Sequence, residues 1–283
     1  MKDKLLSRVT TGVCGAMGAL AELKMPKSIL NPAIGAFSLG FCVNQSEAVV
    51  PPDGYTCFGD FFARTLKDGV RPVCPDTNAF VSPCDGAIAA IQSLQSSAGA
   101  KAGNTFLVKG FDYSINQLVG SDCGDLFTGG GGMVIYLHPR DYHRVHVPAD
   151  GILRQVRHLS GSRFPVAPWA EKRVAGIFQR NERMVFHFEI GKGTLVLIMV
   201  AAFGVGNITT PYAPPRGEHT SAVRLFETST QLNKGEELGA FRLGSTVVML
   251  WTEQLLSLSS AAVLGKIRFG EKLGCIAQED AFE

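Results

Sequence analysis

Three histidines, two arginines and an aspartate crowd into residues 136–148, which read Tyr-Leu-His-Pro-Arg-Asp-Tyr-His-Arg-Val-His-Val-Pro. A second pattern ends in Leu243-Gly244-Ser245-Thr246 and runs into an apolar stretch. A third is Ser82-Pro83-Cys84-Asp85-Gly86. In chain order they supply an aspartate, histidines and a serine, which is the set needed for an orienting carboxylate, a base and a nucleophile. Each is ordinary when taken singly. Gly-Ser is a common bend and Asp-Gly after Pro reads as a turn. The histidines could be polar surface residues, although dense ionisable clusters beside strands are often functional. A serine hydrolase is conceivable, but Leu243 and Val247 exclude the Gly-x-Ser-x-Gly elbow that exposes a hydrolase serine. His143 and His146 stand three apart with no nearby Cys or Glu, so no metal site is expected.

These residues need a scaffold, and the pattern for it is mostly β. Short apolar or alternating runs rich in Val and Ile occur at 133–137, 184–190, 194–201 and 246–251. Gly-rich and Pro-rich turns separate them, notably at 129–132 and 211–217. No long helical period lies between these runs, which argues against a parallel α/β wind. The expected class is mainly β (α+β), an antiparallel β-sandwich or barrel-like core with an N-terminal helical region. Residues 58–66 carry apolar side chains at helical spacing.

The 283 residues carry 27 Lys+Arg and 25 Asp+Glu, a net charge of +2, so there is no basic footprint for nucleic acid. Seven cysteines, odd in number and without a Cys-x-x-Cys, read as reduced thiols of a cytosol-facing protein. The N-terminal part differs in character. Lys2, Lys4 and Arg8 precede an uncharged stretch at 10–21, and a second runs from 28 to 46, broken by Pro32 and several Gly. Neither has the roughly 20 predominantly apolar residues of a spanning helix. The preferred reading is a short pair of helices lying in a membrane interface. The plain alternative is a helical layer packed on the main domain.

From roughly Phe58 to the C-terminus the sequence resembles the phosphatidylserine decarboxylase family, while residues 1–46 match only in character. The likeness rests on Phe61-Phe62-Ala-Arg-Thr-Leu-Lys67 with Val70-Arg71-Pro72, then Asp85-Gly86 and Lys109-Gly110-Phe-Asp-Tyr-Ser114. It continues through Pro139-Arg-Asp-Tyr-His143-Arg-Val-His146, Phe203-Gly204-Val-Gly-Asn207 and Leu243-Gly244-Ser245-Thr246. His138 departs from the pattern, standing where the family more often has a small polar residue.

The resemblance implies a self-processing enzyme. Ser245 would attack the Gly244 carbonyl, the chain would split between Gly244 and Ser245, and Ser245 would become a covalent pyruvoyl group, the only cofactor. His146 resembles the base for that step, and Asp85 the carboxylate that orients it. His143 resembles the residue serving the later decarboxylation of phosphatidylserine to phosphatidylethanolamine through a Schiff base to the pyruvoyl group. With the N-terminal reading above, the expected division is a membrane-associating region at 1–57 and, from the resemblance, a decarboxylase domain at 58–283, cut into chains 1–244 and 245–283. The resemblance implies further a homodimer of processed protomers, bound peripherally to the cytoplasmic face of the membrane. A pyruvoyl decarboxylase of a soluble amino acid and a non-cleaving binding module remain as alternatives. If His143 and His146 serve one site, their segment must bend or bulge, because a regular strand points residues three apart to opposite faces.

Overall fold

The computed structural model of the protein describes residues 18–94, 105–108, 110–164, 176–202, 208–214, 223–242, 245–260 and 262–277. Its strands, in chain order, begin with β1 (Ala79–Val81), β2 (Gly86–Ser93), β3 (Thr105–Val108), β4 (Phe111–Ser114), β5 (Gly131–Leu137) and β6 (Arg144–His146). They continue with β7 (Gly151–Leu159), β8 (Arg183–Ile190), β9 (Gly193–Ala201), β10 (Ile208–Thr209) and β11 (Val223–Leu232). The last are β12 (Glu237–Phe241), β13 (Ser245–Trp251), β14 (Leu256–Leu258), β15 (Gly265–Ile267) and β16 (Lys272–Ile276). Among the described residues four α-helices of known bounds accompany them: α1 (Lys27–Phe41), α2 (Phe58–Phe62), α3 (Ile115–Val119) and α4 (Ile177–Arg180).

Eight strands form one antiparallel sheet in the order β11-β7-β8-β9-β13-β5-β2-β15. Both faces of its centre are covered, and this explains the composition of the central strands. All seven residues of β13 are buried, as are eight of the nine in β9. A strand buried on both sides reads as a continuous apolar run. The edge strand β11 instead alternates exposed and half-buried residues, with Arg224, Glu227 and Thr228 among them.

Two small antiparallel sheets, β10-β12-β6 and β1-β16-β14, lie over one face. Their Val145, Leu238, Phe241, Phe80 and Leu273 pack with Ile135, Met199 and Val247 of the large sheet. The β3–β4 hairpin with α3 and α4 covers the other face, through Phe106, Tyr113, Leu118 and Phe178 against Val134, Val200 and Val248. The mainly β, antiparallel, sandwich-like core expected from the sequence is the one observed. Fully burying each such side chain contributes roughly 1.5–3 kcal/mol.

The N-terminal region is helical where described. Residues 18–22 are helical, and α1 follows after a short connection. In α1 the buried residues Leu30, Ile34 and Ser38 recur every four positions and face the chain below. Phe37 meets the rings of Phe58, Phe61 and Phe62 at centroid distances of 5.0–6.1 Å. Pro32 sits in the second turn, where it removes the bond to the Ser28 carbonyl. The helix ends at Cys42, whose φ of 59° makes it the one non-glycine residue in the left-handed region among those described. Of the two helices expected, most of the first lies outside the described residues. Among the described residues no helix is long and apolar enough to cross a membrane. The helical pattern at 58–66 yields only the five residues of α2, because the chain beyond is drawn into a bridge between Leu66 and Ala48.

Candidate active site

Ser245 is the first residue of β13, at the centre of the large sheet, paired with Leu137 on β5 and Ala201 on β9. Its side chain shares a face with those of Val247, Ile135 and Met199, since alternate residues of a strand point the same way. That face is the one covered by β6 and β12. The hydroxyl is therefore buried in the layer between two sheets, and its Oγ has no hydrogen-bond partner. Thr246, on the opposite face, also has a buried hydroxyl without a partner. Leu243 and Gly244 lie outside the described residues.

Two tethers bring the histidine segment to Ser245. Leu137, its register partner, leads directly into His138. On the other side the Phe241 N–H donates to the His143 carbonyl at 2.9 Å, and only three residues separate Phe241 from Ser245. Four chain steps reach at most about 14 Å. The facing problem of His143 and His146 is resolved by the strand boundary. β6 contains only Arg144–His146, so His143 precedes it, and the partner strand β12 is irregular between Glu237 and Gly239.

His146 has both ring nitrogens engaged. Nδ1 lies 2.9 Å from the Gly235 carbonyl, so it carries the proton and donates it. Nε2 lies 3.0 Å from the Tyr142 hydroxyl and accepts from it. Phe269 stacks on the ring at 3.8 Å. Burial holds the imidazole below its ordinary pKa, so it is neutral and its Nε2 carries a lone pair. The same burial pushes the Tyr142 hydroxyl well up, so it remains a donor.

His143 differs on one side. Its Nδ1 donates to the Asp141 carbonyl at 2.9 Å, but its Nε2 is buried without a partner. The Phe62 ring covers it at a centroid distance of 4.0 Å. Burial first, then the nearby Arg64 guanidinium, lowers its pKa to about 3. A neutral imidazole with a bare Nε2 lone pair accepts a proton; it donates one only after taking one up.

Asp85 is buried and saturated. The Arg71 guanidinium grips both carboxylate oxygens, with Nε at 3.0 and 3.1 Å and Nη2 at 2.7 Å from Oδ2. The Phe269 N–H adds a bond to Oδ1 at 2.9 Å, and Arg71 is shared with Glu47 at 2.9 Å. No hydrogen bond joins Asp85 to His146 among the described residues. They meet through Phe269, which donates to one and stacks on the other. The Gly235 carbonyl is the group that fixes the His146 tautomer here.

Strand pairing thus draws the His143–His146 segment toward Ser245, and Asp85 meets His146 through Phe269. The sequence reading did not single out Tyr142 or Phe269, whose roles come from contacts distant in sequence. Arg71 and Arg64 stood inside quoted motifs without assigned tasks. Lys109 and residues 203–207 lie outside the described residues. No cluster of His, Cys, Asp and Glu able to hold a metal occurs among the described residues.

Known proteins resemble this chain over most of its length. The family model described as phosphatidylserine decarboxylase matches residues 58–275. A phosphatidylserine decarboxylase proenzyme of Shewanella halifaxensis is 38% identical over 269 residues, covering 90% of this chain and 88% of the relative. Proenzymes of the same name from Hahella chejuensis and Azotobacter vinelandii are 37% and 36% identical, over 93% and 92% of this chain and 89% and 92% of theirs.

Proposed function

The chain belongs to the phosphatidylserine decarboxylase family and is a decarboxylase of that kind; from that premise we propose that it cuts itself between Gly244 and Ser245 and works through a pyruvoyl group made from Ser245. The observation that carries this reading is the Ser245 hydroxyl, buried and without a partner at the head of the central strand. An unsatisfied buried hydroxyl is costly, and a group about to react accounts for the cost. A ketone in its place has no hydrogen to donate, so the pocket fits the pyruvoyl group as well as it fits the serine.

In the self-cleavage, Ser245 Oγ attacks the Gly244 carbonyl carbon while its proton passes to a base. The amide C–N bond breaks and an ester joins residue 244 to the side chain. Removal of the Ser245 Cα proton then expels the carboxylate of residue 244, and water replaces the resulting imine nitrogen, which leaves as ammonia. His146 suits the base, being neutral with a defined tautomer; to serve, its Nε2 exchanges the Tyr142 hydroxyl for that of Ser245. Asp85 holds Arg71 and the Phe269 amide in place and so shapes the wall behind His146.

Once formed, the pyruvoyl carbonyl supplies the electron sink for loss of carbon dioxide from phosphatidylserine, giving phosphatidylethanolamine. His143, neutral and with Nε2 open, takes up and returns the proton that the substrate must exchange. Phe62 and the buried segment around it keep bulk water away from that nitrogen.

The substrate is a lipid, so the site must meet a bilayer. α1 has no charged residue after Lys27 and exposes Ile29, Leu39 and Phe41, with Leu20, Leu23 and Val49 nearby in sequence. Its last residue, Phe41, packs against His138 at 6.2 Å, at the mouth of the histidine loop. Residues 1–57 serve as the membrane-associating region, and 58–283 as the decarboxylase domain. The exposed Lys24 and Lys27 suit an anionic cytoplasmic leaflet. The working form is a peripheral homodimer of cut protomers.

Intact mass under denaturing conditions tests the cleavage. The expected result is a 39-residue piece beginning at position 245, lighter by one ammonia than a peptide starting with serine. Ser245→Ala should yield a single full-length chain, and a normally split variant would end the assignment. Incubation with phosphatidylserine micelles or with free serine separates the lipid enzyme from a soluble amino-acid decarboxylase.

A further inference from the structure

Among the described residues Arg64 is a buried cation without a carboxylate partner. It follows α2, its guanidinium lies 5.5 Å over the Phe61 ring, and only its Nη2 hydrogen-bonds, donating to the carbonyls of Arg140 at 3.0 Å and Asp141 at 3.1 Å. Nε and Nη1 are shielded from solvent and have no partner. Each unsatisfied buried donor costs about 1–3 kcal/mol, and more when the group is charged. A fold keeps such a group when something else arrives to satisfy it.

Among the described residues no carboxylate does so. Asp85 is gripped by Arg71, and Asp141 accepts the His138 N–H. Arg64 lines a cavity of about 350 Å³ between the N-terminal region and the β10-β12-β6 sheet. The other charged groups on that wall are matched: Arg242 with Asp60 at 2.6 Å, and Arg144 with Glu237 at 2.6 Å. Arg64 alone among them lacks a carboxylate. It is also bound into the reaction centre, because the Asp141 carbonyl that accepts from it accepts from His143 Nδ1 as well.

We propose that Arg64 is the headgroup-binding cation of this enzyme, its free N–H groups donating to the phosphodiester oxygens of the lipid. The proposal rests on the reading that phosphatidylserine is the substrate. The headgroup has two anions, and the reaction chooses between them. The carboxylate leaves as neutral carbon dioxide, so an arginine ion pair on it would stabilise the ground state and be lost in the transition state. The phosphodiester keeps its charge throughout, so the same ion pair anchors substrate without opposing the chemistry. Guanidinium to phosphate is also a strong charge-assisted pairing.

The test uses the full chain and two soluble probes, glycerophosphoethanolamine, which has the phosphodiester and no carboxylate, and L-serine, which has the reverse. Calorimetry should show that Arg64→Gln weakens glycerophosphoethanolamine binding by about tenfold or more, while L-serine binding is unchanged. Arg64→Lys, which keeps the charge but not the planar fork, should fall between and carries the test if the glutamine variant fails to fold. In mixed micelles the KM for phosphatidylserine should rise with kcat per cut chain little altered. Wild-type affinity in both variants, loss of L-serine binding alone, or a wild-type chain that binds neither probe would each overturn the proposal. Intact mass is read in parallel. Because probe binding needs no turnover, a chain that stays whole counts against the cleavage while Arg64 is still judged by calorimetry.

Discussion

Arg183 and Arg64 are buried alike, with 4% and 3% of their surface exposed, and among the described residues neither has a carboxylate partner. They differ in what their nitrogens find. Arg183 opens β8 beneath the ends of α3 and α4, where helices leave carbonyls unbonded. Its Nε donates to Leu118, Nη1 to Gln179 and Asn181, and Nη2 to Gln117, at 2.5–2.9 Å. Every nitrogen is used, and the side chain fastens two helices to the sheet. Arg64 leaves two nitrogens bare, beside a histidine with a bare nitrogen. The first region is finished when the chain has folded. The second is completed only by a ligand. Buried polar groups of the two kinds are told apart by their partners rather than by burial or charge.

His143→Ala attacks the unfinished region most directly. The chain should still be cut, and decarboxylation per cut chain should fall by about 10²–10⁴, the usual worth of a positioned acid–base group. Unimpaired turnover, or an uncut chain, would remove the division of labour between His143 and His146.

The finished region is tested by stability. Arg183→Met strands four carbonyls, in two buried and two part-buried bonds, and should cost about 3–5 kcal/mol in urea unfolding. Arg64→Met removes a charge that already lacked an anion and should stay within about 1 kcal/mol of the parent. Equal losses from the two would erase the distinction between the arginines.

The smallest effect concerns pH. His143 and His187 are both held low by burial, to about 3 and about 4, from an ordinary 6.5. The unfolded chain therefore takes up protons first as pH falls. Their contribution to stability is complete above pH 6.5 and is lost as pH drops toward those values. His187→Phe should reduce the slope of stability against pH between 4.5 and 6 by up to about 1.4 kcal/mol per unit. An unchanged slope would show that His187 is not kept neutral by the fold.

Much of the core was legible because its central strands are buried on both faces. The Val- and Ile-rich runs at 133–137 and 246–251 became β5 and β13 with their ends extended by one or two residues. β11 was harder to read, since an edge strand with half its residues exposed has no apolar run to display. Ser245 and the histidines could be named from their motifs, and the need for a break between His143 and His146 followed from strand geometry alone. The Tyr142 hydroxyl on His146 and the Gly235 carbonyl behind it could not. Gly235 is 89 residues away from its histidine, and its contact exists only because β12 pairs with β6. Arg64 was equally hidden, because what marks it is two guanidinium nitrogens left without partners, which no local pattern records.

The position of β13 has a mechanical consequence. The 39 residues beyond Gly244 supply β13 at the middle of the large sheet, β15 at its edge, and β14 and β16 of a smaller one. β13 alone is stitched by seven residue pairs to β5 and seven to β9. Severing the peptide bond ahead of Ser245 would leave the halves interleaved like a zip with its slider removed. Neither piece could depart without dismantling the core, and the mature enzyme would behave under denaturant as one cooperative body made of two chains.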